Sequence, residues 1–409
     1  MNKFFNILLL VALVTNNVFA NNNKKISSEQ IDNIFTPKVK QFINNINKAY
    51  PFLSVKNTSG LTRHVVNNNI INEALNLTAS ANYQWKCTEP LAEYLDNDNQ
   101  IAYYTMTCSG EWPQAHDNLY NKLNIKNLLV HAVVANRNSS QQWETTPLIT
   151  ADINNQNQCI SPVNCRSRLF DYVQNYNRSH SRKIIAVING GYFFMHKGFV
   201  DSNCIWKTAL SYFYNFDKPL PTSFIGDGLT IINAQTFSFN CPALGSVRIS
   251  PDRATWVVDN KGNGKIVDMP AGNTIDTSNI QQALGAGPML IQNGEYAMEW
   301  QLIPSTFGYS ANTGLALAED ESGQEKIVFF TVDGIDGKNG MYSFEMANFM
   351  KEYLGKALGF EIRSAMSMDH GGSTSMVTCS QVSGSCRLVS HSGEDDSGRA
   401  VYNGLAIIQ

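Results

Sequence analysis

The sequence predicts an α+β fold, a mixed β-sheet domain with packed helices, preceded by a small mixed or helical N-terminal region. Three observations predict it. From residue 127 onward, short apolar runs are separated by Gly, Asn, Asp and Pro, the pattern of strands and turns. No internal repeat, heptad or βαβ array is evident. Residues 27–50 instead place Ile and Phe at roughly helical spacing and stop at Pro51.

At the start of the chain, Lys3 precedes an apolar run over residues 4–14 and the ending Val18-Phe19-Ala20. This reads as a secretory signal over residues 1–20, with an apolar core too short to span a bilayer. No later apolar segment is long enough to cross. The expectation is an exported protein, periplasmic or secreted, without an integral membrane segment after cleavage. Residues 21–124 form an accessory region with helices expected over 27–50 and 70–81 and a strand over 101–107. The main domain is expected over residues 125–409. Its expected strands are 128–135, 183–188, 229–232, 254–258, 289–291, 314–318, 326–332, 362–368, 375–378, 386–389 and 401–408. One helix is expected over 168–176. A second is expected over 343–354, where Phe344, Ala347, Met350 and Leu354 recur near one face. Ser343 suits its N-cap, and Gly355 or Gly359 its end.

Lys and Arg total 31 against 34 Asp and Glu, a formal charge of -3 that leaves no basic footprint for nucleic acid. An apolar content of 43% suits a globular chain. Export makes disulfides permissible for the eight cysteines. Their spacing supports local bridges of Cys87 with Cys108, Cys159 with Cys165, Cys204 with Cys241, and Cys379 with Cys386, although the count does not fix connectivity. The absence of a Cys-x-x-Cys pair argues against a zinc ribbon or a redox site.

Candidate chemistry lies where apolar runs end in polar, glycine-rich turns. One run ends in Asn189-Gly190-Gly191-Tyr192-Phe193 and another in Asp369-His370-Gly371-Gly372-Ser373-Thr374. A third delivers Asp333-Gly334 ahead of the helix that carries Glu345. Glycine lets backbone approach a ligand closely, while carboxylates and hydroxyls offer charge and hydrogen bonds. The three turns are expected to converge in one sheet. Backbone N–H groups near Ser343 and around 371–373 suit an anion such as phosphate. Plainer readings exist: Asp333 suits a turn cap, Glu345 an ordinary first-turn acid, and Tyr192 and Phe193 core packing. Adjacency alone does not make Asp369 and His370 a dyad, because neighbours on a strand face opposite ways. Asp333, Asp336 and Asp369 offer oxygen ligands for a hard cation such as calcium, without EF-hand spacing. No cofactor is required.

Taken in order, these blocks resemble the phosphodiester glycosidase family. The resemblance adds Gly285-Ala286-Gly287-Pro288-Met289-Leu290 with Asn293-Gly294, then Gly340-Met341, and Arg399-Ala400-Val401-Tyr402-Asn403 near the C-terminus. It covers roughly residues 125–409. It implies cleavage of a sugar-phosphate diester at the glycosidic C–O bond, releasing sugar and a phosphomonoester. Asp369 is expected to lead catalysis, with Glu345 and Asp333 as further catalytic carboxylates. Asn189, Gly190, Gly191, Tyr192, His370, Gly371, Gly372, Ser373, Thr374 and Arg399 are expected at the substrate. Three positions depart from the family pattern. Ile335 follows Asp333-Gly334 where an arginine is common, the region where Arg-Thr usually precedes an apolar strand reads Ala311-Asn312-Thr313-Gly314, and His370 replaces a glycine. The alternatives are an exported hydrolase of another glycan or phosphodiester, and a non-catalytic carbohydrate-binding protein.

Overall fold

In the computed structural model, the described residues are 84–111, 125–137, 143–149, 166–192, 198–200, 206–208, 228–238, 253–269, 276–297, 310–335, 339–341, 343–393 and 397–409. They fall within one compact unit, Tyr83–Glu111, Asn124–Leu244 and Arg248–Gln409. The expected signal segment and the helices over 27–50 and 70–81 lie outside the described residues, as do Phe193, Asp336, Cys159, Cys165, Cys204 and Cys241. Among the described residues, no helix is long and apolar enough to cross a membrane.

The fold is α+β, as expected, and β-sheet dominates it. The first sheet has nine strands. Its hydrogen-bonded order is Gln84–Cys87, Ile101–Glu111, Ile125–Arg137, Glu325–Val332, Asn312–Glu319, Glu361–Ser367, Met289–Gln292 and Glu295–Tyr296, with Leu91–Tyr94 also pairing on Ile101–Glu111. The sheet thus begins before residue 125, because Ile101–Glu111 pairs along its length with Ile125–Arg137. The second sheet runs Ser385–His391, Ser375–Ser380, Ile184–Asn189, Asn403–Ile408 and Glu144–Ile149. The third runs Gln235–Ser238, Thr230–Ile232, Ile280–Gly285, Arg253–Asp259 and Gly264–Met269. Gly198–Val200 and Trp206–Thr208 pair separately.

The central strand Ile184–Asn189 is buried at every residue, which explains its unbroken apolar sequence. The helix Leu169–Ser179 packs on this sheet through Leu169, Tyr172 and Val173, which meet Ile184, Val187, Val377 and Ala406. The second expected helix is longer than its pattern implied. It runs as Ser343–Asn348, a π-helical turn over Phe349–Leu354, and Gly355–Leu358. Gly355 stays inside the helix, and Gly359, at φ 77°, ends it in the left-handed conformation that glycine accepts without strain. Cys87 and Cys108 face each other across paired strands, as do Cys379 and Cys386, and both pairs are disulfide-bonded.

The strands that carry the candidate chemistry do not share one sheet. Ile184–Asn189 belongs to the second sheet, whereas Glu325–Val332 and Glu361–Ser367 lie in the first with Asn312–Glu319 between them. What links the two sheets is the chain itself. It leaves the first sheet at Ser367, passes through Asp369 and a 3-10 turn over Gly371–Ser373, and enters the second at Ser375.

Close backbone approach at this junction explains one glycine. A Cβ on Gly191 would lie 2.2 Å from the Gly285 carbonyl oxygen. Gly191→Ala is therefore expected to cost about 1–3 kcal/mol through overpacking, read as a lowered urea midpoint. An unchanged midpoint would contradict the approach.

Candidate active site

The site is organised around the side-chain amide of Asn189, which is fully buried at the end of its strand. Its Nδ2 donates to the Asp369 carbonyl at 2.8 Å. Its Oδ1 accepts from Thr313 Oγ1 at 2.6 Å and from the Ser375 backbone N–H at 3.0 Å. One amide thus holds a strand of the first sheet and both ends of the crossing loop. The backbone adds to this: Asp369 N–H donates to the Gly190 carbonyl at 2.9 Å, Gly371 N–H to Ala311 at 2.9 Å, and Gly190 N–H to Asn403 at 2.9 Å. Asn189 is a structural clamp for the Asp369 loop.

Asp369 is half-buried, and its Oδ1 accepts from the backbone N–H of His370 at 3.0 Å. That places the contact at the His370 main chain. The imidazole instead meets the Tyr192 ring edge-on, with centroids 6.0 Å apart. Burial lowers the His370 pKa to about 4, so the ring is neutral at pH 7 although part of its surface reaches solvent. Gly371, Gly372, Ser373 and Thr374 are buried within the turn. Thr374 Oγ1 has no hydrogen-bond partner among the described residues.

Arg399 reaches this turn from the other side. A Cβ on Gly372 would lie 1.9 Å from its Nη2, so the guanidinium packs directly against the bare glycine. A second cation stands nearby. Ser167 forms a two-way backbone bridge with Val401, which brings Arg166 beside the Arg399–Val401 segment. The pKa of Arg166 is lowered by burial and by the neighbouring Arg399. The sequence reading did not single out Arg166. It sits beside residues 151–165, where no apolar run or glycine block marks a functional segment.

The other two carboxylates are placed differently. Asp333 follows the strand Glu325–Val332 and spans the sheets: Ser390 Oγ donates to its Oδ1 at 2.6 Å, and His131 Nε2 lies 3.3 Å from its Oδ2. Gly334 pairs with Ser392, whose backbone N–H donates to Thr374 O at 3.1 Å and whose Oγ donates to Gly372 O at 3.3 Å. These bonds fix Asp333 beside the Asp369 loop. Glu345 is fully buried in the first helical turn. Its helix follows Met341, which bridges Ser310 and whose carbonyl accepts from Asn312 Nδ2, one residue before Thr313. A completely buried carboxylate requires a hydrogen-bonding or charged partner, or a proton.

Of the acids expected to suit calcium, Asp336 lies outside the described residues and Asp333 has a protein partner at each oxygen. Among the described residues, no group of three or more His, Cys, Asp or Glu is placed to hold a metal ion.

Residues 182–408 match the family model of the phosphodiester glycosidases. Among solved structures, one match is the zebrafish N-acetylglucosamine-1-phosphodiester alpha-N-acetylglucosaminidase catalytic domain, auto-inhibited by its pro-peptide. It is 16% identical, with 80% of this chain and 87% of that chain covered and a TM-score of 0.47. Another is a hypothetical protein from Synechocystis, 15% identical, with 80% and 68% covered and a TM-score of 0.41. No curated protein matches significantly. The ordered glycine blocks, and a family match that spans more than half of the 409 residues, place this chain in the phosphodiester glycosidase family.

Proposed function

We propose that this exported chain hydrolyses a sugar-phosphate diester at the glycosidic C–O bond, releasing the sugar and a phosphomonoester. The observation that carries the reading is a pair of guanidinium groups beside the Asp369 turn: Arg399 packs on Gly372 and, after burial, helps lower the Arg166 pKa. Planar guanidinium forks suit phosphate oxygens, and two of them beside one turn suit a phosphate group. The family's usual arginine after Asp-Gly is Ile335 here, and Arg166 supplies positive charge from another part of the chain.

In this reading the two arginines hold the phosphate and the Tyr192–His370 wall lies against the sugar. Asp369 stabilises positive charge developing at the anomeric carbon or activates the attacking water. Glu345, fully buried, serves as an acid or as a positioning group. A phosphate leaves readily as an anion, so fixed positive charge matters more than strong acid catalysis. His370 stays neutral at pH 7 and adds no charge to the pocket.

Asp369→Asn is expected to lower turnover of a synthetic sugar 1-phosphate diester by about 10²- to 10⁴-fold, measured by product analysis. Equal turnover in both proteins would remove Asp369 from the mechanism. Arg166→Gln and Arg399→Gln are each expected to raise KM for the diester about tenfold. If neither changes KM, the phosphate does not sit between them.

His370 makes stability depend on pH. Its folded pKa of about 4 lies below the ordinary 6.5, so the unfolded chain binds the proton first as pH falls. Stability is full above about pH 6.5, declines below it, and the loss, on the order of 3 kcal/mol, is complete below about pH 4. In urea titrations across this window, His370→Gly should flatten the decline. Identical slopes would refute the assignment.

A further inference from the structure

The polar chain that ends on Asp333 runs back into the core through residues outside the family-matched segment. His131 is 2% exposed on the strand Ile125–Arg137. Its Nδ1 lies 2.7 Å from the Tyr103 hydroxyl, and its Nε2 lies 3.3 Å from Asp333 Oδ2. The Tyr103 and His131 rings are nearly parallel, 17° apart with centroids at 6.0 Å. Arg387 stands over the Tyr103 ring and pairs with Glu93, so these two, with Asp333, are the charged groups around the phenol.

One order of protons satisfies all of these contacts. Burial raises the Tyr103 pKa, so the group remains a phenol. The Thr105 side chain also hydrogen-bonds the phenol, and in this order the Tyr103 proton goes to His131 Nδ1 at 2.7 Å. A nitrogen that accepts carries no proton, so the neutral imidazole has its N–H at Nε2, facing Asp333. Ser390 donates to the other oxygen. Each Asp333 oxygen then receives a hydrogen bond.

We propose that Tyr103 and His131 are positioning residues that hold Asp333 as an acceptor-only carboxylate, so that it serves the reaction as base or charge stabiliser and not as acid. The kinetic consequence rests on the hydrolysis proposed above; the order of hydrogen bonds does not. The side chain of Asp333 is 28% exposed, which leaves its remaining lone pairs accessible. Tyr103→Phe removes a single hydroxyl and frees the imidazole to change tautomer. His131→Leu removes the donor altogether, while His131→Gln keeps an N–H near the Nε2 position.

The test combines a spectrum with kinetics on the full chain. Nitrogen-15 NMR of labelled histidine, with His131 assigned by difference from His131→Gln, should show the Nε2–H tautomer in the wild type and a mixture in Tyr103→Phe. With a sugar 1-phosphate diester, Tyr103→Phe should lower kcat about tenfold and His131→Leu up to about 100-fold, with KM unchanged. His131→Gln should recover part of that loss, which a purely structural role would not produce. An Nδ1–H tautomer in the wild type, or an unchanged kcat in both Tyr103→Phe and His131→Leu, overturns the proposal. If the wild type turns over no diester, the reading of function fails, and the tautomer still decides how Asp333 is held.

Discussion

The site depends on one buried amide. Asn189 sits where the central strand of the second sheet ends, and its three hydrogen bonds reach Thr313 in the first sheet, the Asp369 carbonyl and the Ser375 N–H. A buried polar group left without partners costs about 1–3 kcal/mol, so these bonds favour one arrangement of the loop over its alternatives. Aspartate would keep the acceptor and lose the donor; leucine would lose both. Only an amide satisfies a carbonyl on one side and two donors on the other.

From that clamp the chemistry follows the geometry of the crossing. A loop that passes between two sheets places Asp369 at their common edge, and the same edge receives Asp333, tied to Ser390, and Arg399, seated on Gly372. The bare glycine seats the guanidinium: a Cβ at 372 would meet it in this position. The departures from the family pattern fall at this edge too. The neutral His370 adds a ring without adding charge, and Arg166 brings a cation from outside the matched residues.

Much of the fold was legible because burial writes itself into local pattern. The run Ile184-Ile185-Ala186-Val187-Ile188 is apolar throughout and lies buried throughout. Cys379 and Cys386 are close in sequence and lie opposite each other across a hairpin. Other elements were hidden for definite reasons. Glu144–Ile149 contains Pro147, which reads as a strand breaker, yet it lies at the edge of its sheet, where a missing N–H is tolerated. Ile280–Gly285 carries Gln281 and Gln282, and the buried Gln282 is satisfied by Asn233, a partner 49 residues away. In the site, the glycine blocks mark where backbone comes close. Arg166 and His131 act through partners more than 200 residues distant, and no local pattern records such pairs.

Isotope tracing tests directly whether the bond broken in the proposed hydrolysis is the one between the anomeric carbon and oxygen. Hydrolysis of a sugar 1-phosphate diester in water enriched in oxygen-18, followed by mass spectrometry of both products, should place the label in the released sugar and leave the phosphomonoester unlabelled. Label in the phosphomonoester would mean cleavage between phosphorus and oxygen, and would contradict the account.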